Sequence, residues 1–439
     1  MSEIKLPVKF AQPSESTPAK TIIVHVSKME SFICSLNPAA SLYEDVTDED
    51  DIRKCFNELG EYLKTKDIRL ITTEEILLLN ENELMKLAKD SLNYERETKI
   101  EKEEKEEKEE KEEDKNKRKD SLKEYEMYSS DEYKENVLKK FSKKNIMNVI
   151  LTRPTIKLKH IDTDTYIEST SITFNPVGNI VFCRDQQITT KKGVVIGSSR
   201  TSQRRYEHII MKQVFKNIGA DIIGELGEEG YVEGGDFFVA REDLSMLGVG
   251  LRTDMNGAKY LMKNDLLGTR YMGICLDEND LDQQRMHLDT YFNILSDKHV
   301  IVLNFTECEE KYKKKVNRKV FLFEQNATNP IPENEIEVNE TNITDIPKVV
   351  GYYKLISVYQ NFYDFLDDLG YTRILVSDQQ QIDYMINFLN IGNNEILSVN
   401  EKLAEVAKDA KVDVKFVEFR PILNMYGAMH CITQVSRVD

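Results

Sequence analysis

The chain has 439 residues, 40% of them hydrophobic and 31% charged, with a formal net charge of −17. That is enough apolar material for a large core in two or three domains, or in one large domain with an insertion. The negative charge speaks against nucleic acid and anionic membrane surfaces as partners, because both repel it at long range. Six cysteines without CxxC spacing point to neither a secreted disulfide framework nor a zinc site. No basic-plus-apolar leader opens the sequence and no apolar run reaches the ~20 residues of a membrane span, so a reduced, cytoplasmic setting is the expectation.

In chain order, residues 21–27 (TIIVHVS) are β-branched and predict a strand, and 47–64 shows helical apolar spacing behind a Thr/Asp start signal. Residues 68–72 (IRLIT) predict the next strand. Helical spacing then runs through 76–152, at Leu77, Leu78, Leu84 and Leu87 and again at Val137, Leu138, Phe141, Ile146, Val149 and Ile150. Within it, 99–119 (KIEKEEKEEKEEKEEDKNKRK) has no apolar face and reads as a solvated single helix or a disordered run, dispensable for chemistry. The order strand, helix, strand returns at 193–197, 204–218 and 221–225, around 245–277, and at 350–356, 359–369 and 372–376. A last unit spans 381–434, with a helix near 400–409 and a strand at 413–419, and the polar stretch 325–346 reads as a peripheral loop. Repeated α/β units fit a doubly wound sheet or a radial array, and periodicity alone leaves both open.

Four segments carry side chains suited to chemistry. Cys431 follows His430 in Tyr426-Gly427-Ala428-Met429-His430-Cys431; a lone cysteine is more often a small buried hydrophobe, but a thiolate near a histidine is a nucleophile. In Met286-His287-Leu288-Asp289-Thr290, a strand would turn His287 and Asp289 to the same side. Glu233-Gly234-Gly235-Asp236 is either a tight turn or a place where backbone approaches a ligand closely. Residues 179–185 alternate like a strand, with Asn179, Val181, Cys183 and Asp185 on one face. Carboxylates from separate segments can hold a planar guanidinium through paired, charge-assisted hydrogen bonds, so the substrate expected is a small guanidino compound.

Five segments in this order, Asn179-x-x-Phe182-x-Arg184-Asp185, Glu233-Gly-Gly-Asp236, Gly250-Leu-Arg252-Thr253, Met286-His287-Leu-Asp289-Thr290 and Cys431 near the end, resemble the motifs of the guanidino-group modifying superfamily, most closely the arginine deiminases. The resemblance implies an α/β fold, a five-bladed α/β propeller of ββαβ modules with an inserted helical subdomain. Residues 1–75 would be the first module with an N-terminal tail, 76–152 the insert, and 153–439 the remaining modules. It also implies hydrolysis of L-arginine to L-citrulline and ammonia. Cys431 would attack the guanidinium carbon, and His287, at an ordinary pKa near ~6.5, would protonate the leaving nitrogen and then activate water. Glu233 would pair with the guanidinium, and Asp185 and Asp289 would grip its outer nitrogens. Arg204 and Arg252 match the family's carboxylate-binding arginines, Asn179 and Phe182 the lining of the aliphatic part, and Arg184, Arg205 and Asp236 fall to support. Neither metal nor organic cofactor is implied, the partner is a small-molecule substrate, and a homo-oligomer is compatible with this reading.

Two departures keep alternatives open. Tyr426 stands where many arginine deiminases place another arginine, and His430-Cys431-Ile432-Thr433-Gln434 is more similar to agmatine deiminases and amidinotransferases. Agmatine lacks the carboxylate that Arg204 and Arg252 would bind, and an amidinotransferase would pass the amidino group to an amine acceptor. A non-catalytic binding protein is the third alternative.

Overall fold

The structure, a computed structural model, describes residues 9–96, 126–160, 167–326, 330 and 346–438. The charged run 99–119 and most of the polar stretch 325–346 lie outside the described residues. The fold is mixed α/β, and one connection recurs through it. A short strand pairs antiparallel with the next, which then pairs parallel with a third across a helical crossover.

In β6 (Gln187–Thr189), β7 (Val194–Ile196) and β8 (Ile222–Glu225), the first pair is antiparallel and the second parallel, with helix Arg205–Asn217 between β7 and β8. The same pattern joins β9 (Phe237–Arg241), β10 (Leu244–Val249) and β11 (Tyr271–Leu276) around helix Met255–Lys263. It recurs in β12 (Phe292–Ile294), β13 (His299–Leu303) and β17 (Thr372–Val376), and in β18 (Leu389–Gly392), β19 (Glu395–Ser398) and β20 (Asp413–Phe416). The remaining copy is assembled from both ends of the chain. Strand β1 (Thr21–Val24) runs parallel to β2 (Arg69–Thr72) across helix Glu49–Thr65, and antiparallel to β21 (Gln434–Ser436).

Local chemistry explains the crossovers. In Glu49–Thr65, Ile52, Cys55, Phe56, Leu59 and Leu63 form one buried stripe at helical spacing, each large side chain contributing about 1.5–3 kcal/mol of burial. Asp48 caps the helix by accepting from the Asp50 and Asp51 amides. The crossover strands β7 and β10 are buried along their whole length, as parallel strands covered on both faces require.

Three expectations change. Residues 350–356 and 372–376 do not share a unit: β16 (Tyr353–Tyr359) pairs antiparallel with β14 (Lys319–Gln325) in the six-stranded sheet, whereas β17 takes β13 as its parallel neighbour. The exposed residues of β16 alternate along it, which suits an antiparallel extension with one wet face. The unit at 381–434 ends with β20, and the strand after Cys431 pairs with β1 instead. The region 76–152 is not helical throughout. Besides helices Glu81–Ser91, Asp131–Leu138 and Lys143–Thr152 it carries β3 (Asn93–Arg96), parallel to β4 (Pro154–His160), which pairs with β5 (Ile167–Phe174). No helix among the described residues is long and apolar enough to cross a membrane.

Candidate active site

Asp185 sits in a run of turns before β6. The Phe182 amide donates to Asn179 O at 3.1 Å and the Asp185 amide to Phe182 O at 3.1 Å, so 179–185 is not the strand its alternation suggests and its odd-numbered residues do not share a face. Cys183 is wholly buried, while Asp185 reaches His287 and Arg204. His287 and Asp289 are not on a strand either: His287 is the N-cap of the short helix Leu288–Tyr291, and Asp289 lies in its first turn.

Glu233 opens the turn that leads into β9. A Cβ on Gly234 would lie 1.9 Å from Arg184 O, and one on Gly235 would lie 2.7 Å from His287 Nδ1, so both positions need glycine for the backbone to pass this close. The Gly235 amide donates to Asp185 Oδ1 at 3.3 Å. Asp236 accepts from the Leu288 amide at 2.9 Å and so anchors the His287 segment; burial, outweighing His287 and its hydrogen bonds, pushes its carboxyl up to about 7.

These turns bring one half of the site together. His287 Nε2 meets Glu233 Oε2 at 2.8 Å, and its Nδ1 lies 3.9 Å from Asp185 Oδ1. Burial disfavours the charged ring, but Asp185, the Glu233 hydrogen bond and Asp236 overcome it and raise its pKa to about 10. His287 is therefore an imidazolium at neutral pH, not the group near ~6.5 that an isolated histidine would be. Glu233 is the converse: burial opposes its charge, yet His287, Arg204 and Arg252 hold its carboxyl well below the usual range. Asp185, Glu233 and His287 bring one polar atom each within 4.8 Å of one another, and the protonated ring is itself the cation between the two carboxylates. Arg204 lies on the same carboxylates, with Nη1 2.8 Å from Asp185 Oδ2 and 3.6 Å from Glu233 Oε2 and Nε 3.1 Å from Glu207 Oε2.

The other half surrounds the thiol. Arg184 N donates to Cys431 O at 3.0 Å, Asn387 Oδ1 accepts from the His430 and Cys431 amides, and Cys431 Sγ lies 3.8 Å from Asp289 Oδ2. That same oxygen accepts from His430 Nδ1 at 2.7 Å. Burial first, then Asp289 and Asp185, push the Cys431 thiol well above its ordinary pKa. Phe182 is buried beneath Gly427, where a Cβ would lie 2.0 Å from its ring. Asn179 is buried with its amide on Glu207 at 3.2 Å and its carbonyl 3.4 Å from Arg204. Arg252 is buried, and its Nε has no hydrogen-bond partner. Tyr426 is exposed and holds a left-handed φ of 64°.

Three carboxylate oxygens of the site, Glu233 Oε1, Asp289 Oδ1 and Asp236 Oδ2, are buried and unpartnered although each carboxylate's other oxygen is engaged; the Asp236 carboxyl is the one that burial pushes up to about 7, which leaves Glu233 and Asp289 as the charged acceptors. Spacing did not single out Glu207, Asn387, Glu15 or Arg437. Among the supporting groups, Arg184 and Asp236 were named from the motifs, and His430 was marked by its place beside Cys431, but its ring nitrogens face Asp289 and Glu15.

A half-buried cysteine, an imidazolium and three carboxylates gathered among repeated ββαβ connections define the guanidino-group modifying class. The family model described as arginine deiminase matches residues 41–437, and the chain belongs to that family. Curated relatives include the arginine deiminase of Borreliella burgdorferi (strain ZS7), 29% identical over 174 residues, which span 36% of this chain and 42% of that protein. The arginine deiminase of Halobacterium salinarum is 23% identical over 334 residues, spanning 60% of this chain and 65% of that one. In both, the matched segment is less than two thirds of the relative's length. Among solved structures, a dimethylarginine dimethylaminohydrolase adduct is 12% identical with a TM-score of 0.46, covering 95% of this chain and 99% of that one. The N-terminal domain of ArgZ, an arginine dihydrolase from Cyanobacteria, is 17% identical with a TM-score of 0.42 and covers 64% and 79%.

Proposed function

We propose that this chain hydrolyses L-arginine to L-citrulline and ammonia through a covalent intermediate on Cys431. The observation that carries the reading is the pair of buried, unpartnered carboxylate oxygens, Glu233 Oε1 and Asp289 Oδ1, in a site whose thiol lies 3.8 Å from Asp289. Buried acceptors of this kind call for a cationic donor, and a guanidinium supplies several N–H groups in one plane.

Binding of that cation between Asp289 and Asp185 offsets the two charges that push the thiol up, so the substrate promotes the thiolate that attacks it. Sulfur adds to the guanidinium carbon and gives a neutral tetrahedral adduct. His287, already protonated, passes its proton to the departing nitrogen; the C–N bond breaks, ammonia leaves and a thiouronium remains on Cys431. The neutral imidazole then takes a proton from water as the oxygen adds to carbon. Cleavage of the C–S bond returns the thiolate and, after loss of a proton, releases citrulline.

Arg252, whose Nε is unpartnered, is the group for the substrate carboxylate. Arg204 is committed to Asp185 and Glu207, and this favours a second reading in which the substrate is agmatine. Comparing kcat/KM for L-arginine and agmatine decides: a preference for arginine that Arg252→Ala removes supports the first reading, and equal loss on both substrates contradicts the carboxylate assignment.

The same reading extends to architecture. Five ββαβ-type sheets, the fifth joined by β1 and β21, support closure into a five-bladed propeller. We divide it as module 1–75, insert from 76 to 152, and modules from 153 on, although β3 and β4 pair across that second boundary. Six free cysteines suit a cytoplasmic location.

A further inference from the structure

Residues 10–20 precede the family-matched span, yet they are bonded to segments of all five ββαβ-type sheets. The Gln12 amide donates to Thr190 O at 3.0 Å, Glu15 to Val239 O at 2.8 Å, Ala19 to Ile391 O at 3.0 Å and Lys20 to Ser436 O at 2.9 Å, while the Ser16 hydroxyl bonds Asp297. These partners follow or lie in β6, β9, β18 and β21 and the turn between β12 and β13, so the segment touches each ββαβ sheet in chain order.

It delivers one ionised group to the middle. Glu15 is 1% exposed, with Oε1 3.2 Å from Arg437 Nη2 and 3.5 Å from His430 Nε2. Burial opposes its charge, but Arg437, His430 and Arg184 together hold its carboxyl well below the usual range. Arg437 is fixed in turn, donating through Nη2 to Asn390 O at 2.8 Å. The His430 ring lies stacked on Phe238, centroids 5.0 Å apart, and cannot tilt freely. Its Nδ1 donates to the one Asp289 oxygen that faces Cys431 Sγ. Its Nε2 has no hydrogen-bond partner among the described residues, so Glu15 acts on the ring as a neighbouring charge at ion-pair distance, while the Asp289 hydrogen bond and the Phe238 stack fix its other side.

We propose that Glu15 is a positioning residue for the reaction at Cys431: it holds His430 against Asp289, and so fixes the carboxylate that grips the guanidinium beside the thiol. Remove that hold and Asp289 loses its fixed aim, which lowers the rate of sulfur attack more than it weakens substrate binding. The role rests on the reading of Asp289 as a guanidinium partner, and the test separates the two.

The probes are two alkylating reagents of similar size, chloroacetamidine, which carries a cationic amidinium, and neutral iodoacetamide. Modification of Cys431 is followed by mass spectrometry in the full chain, beside kcat, KM and the thermal midpoint. Wild type should react faster with the amidinium reagent. Glu15→Gln should lose about tenfold in that rate and in kcat while KM, the iodoacetamide rate and the thermal midpoint change little. In a His430→Gln background the same substitution should add less than about twofold, because the path through the imidazole is already cut. A wild-type preference that survives intact in folded Glu15→Gln, or a full effect that persists in His430→Gln, overturns the role of Glu15 alone. Equal rates for both reagents on wild type overturn the guanidinium reading and this role with it. Should Glu15→Gln fail to fold, His430→Gln decides: an unchanged preference there breaks the link to Asp289.

Discussion

Two buried charge clusters in this molecule differ in one respect. Around Arg285 and Arg318, both fully buried, the charges are matched: Asp280 takes Arg285 Nε at 2.6 Å, Arg318 Nη2 at 3.2 Å and Lys314 Nζ at 2.7 Å. Asp378 is equally engaged, by Arg285 at 3.3 Å on one oxygen and by Lys311 at 2.7 Å and Tyr312 at 2.6 Å on the other. Every oxygen of these two carboxylates has a partner. Around Cys431 the carboxylates of Glu233 and Asp289 each keep one buried oxygen without any. In the first cluster the only buried side-chain polar atom left over among the described residues is a donor, Arg318 Nε, whereas the second leaves acceptors over, which is what the proposed cationic substrate would require.

Removing one member from each cluster sharpens the contrast. Cys431→Ala should lower citrulline formation by about 10⁴-fold or more with an unchanged unfolding midpoint. Glu233→Gln should lower kcat by about 10²–10³-fold at a modest cost in stability, since the isosteric amide can still accept from His287 but no longer balances its charge or that of Arg204. Asp280→Ala should do the reverse. It strands Arg285 and Arg318 without their shared carboxylate, and urea unfolding should show a loss of about 3–5 kcal/mol, with turnover per folded molecule close to wild type.

pH separates the clusters as well. The pKa of His287 is raised from 6.5 to about 10, so its contribution to stability is fully present below pH 6.5 and is lost as pH rises toward 10. Unfolding measured from pH 7 to pH 10 should therefore show wild type losing more stability than His287→Asn. A parallel decline in both would contradict the charged imidazolium. The smallest effect belongs far from both clusters: Asp48→Ala removes a helix cap and should cost about 1 kcal/mol without touching turnover.

Much of this was legible in the sequence, and the misses share a cause. The helix behind Asp48 and the strand, helix, strand order at 193–225 follow from local periodicity, and Asp185, Glu233, His287, Asp289 and Cys431 were named from motif order, whereas Glu207 and Asn387 were not. What periodicity could not convey was partnership at a distance. Strand β17 takes β13 rather than β16, and β21 returns to β1 across the whole chain. Alternation misled at 179–185, because consecutive turns also alternate polar and apolar residues. The protonation of His287 was illegible too: it depends on carboxylates 54 and 102 positions away in sequence, which the fold brings to 2.8 and 3.9 Å. Glu15 carried no signal at all, since nothing local marks a glutamate in a Ser/Thr/Pro stretch as the one that faces His430.

The account's central claim is that Cys431 becomes covalently bonded to the substrate's guanidino carbon and is then released by water alone. Acid quenching of the enzyme during turnover of L-arginine, followed by mass spectrometry of the peptide containing Cys431, tests it directly. The account predicts an adduct on Cys431 that contains the arginine skeleton less ammonia and decays to citrulline with no amine acceptor present. Turnover with Cys431 unmodified, or an adduct that persists until an amine is added, would contradict it.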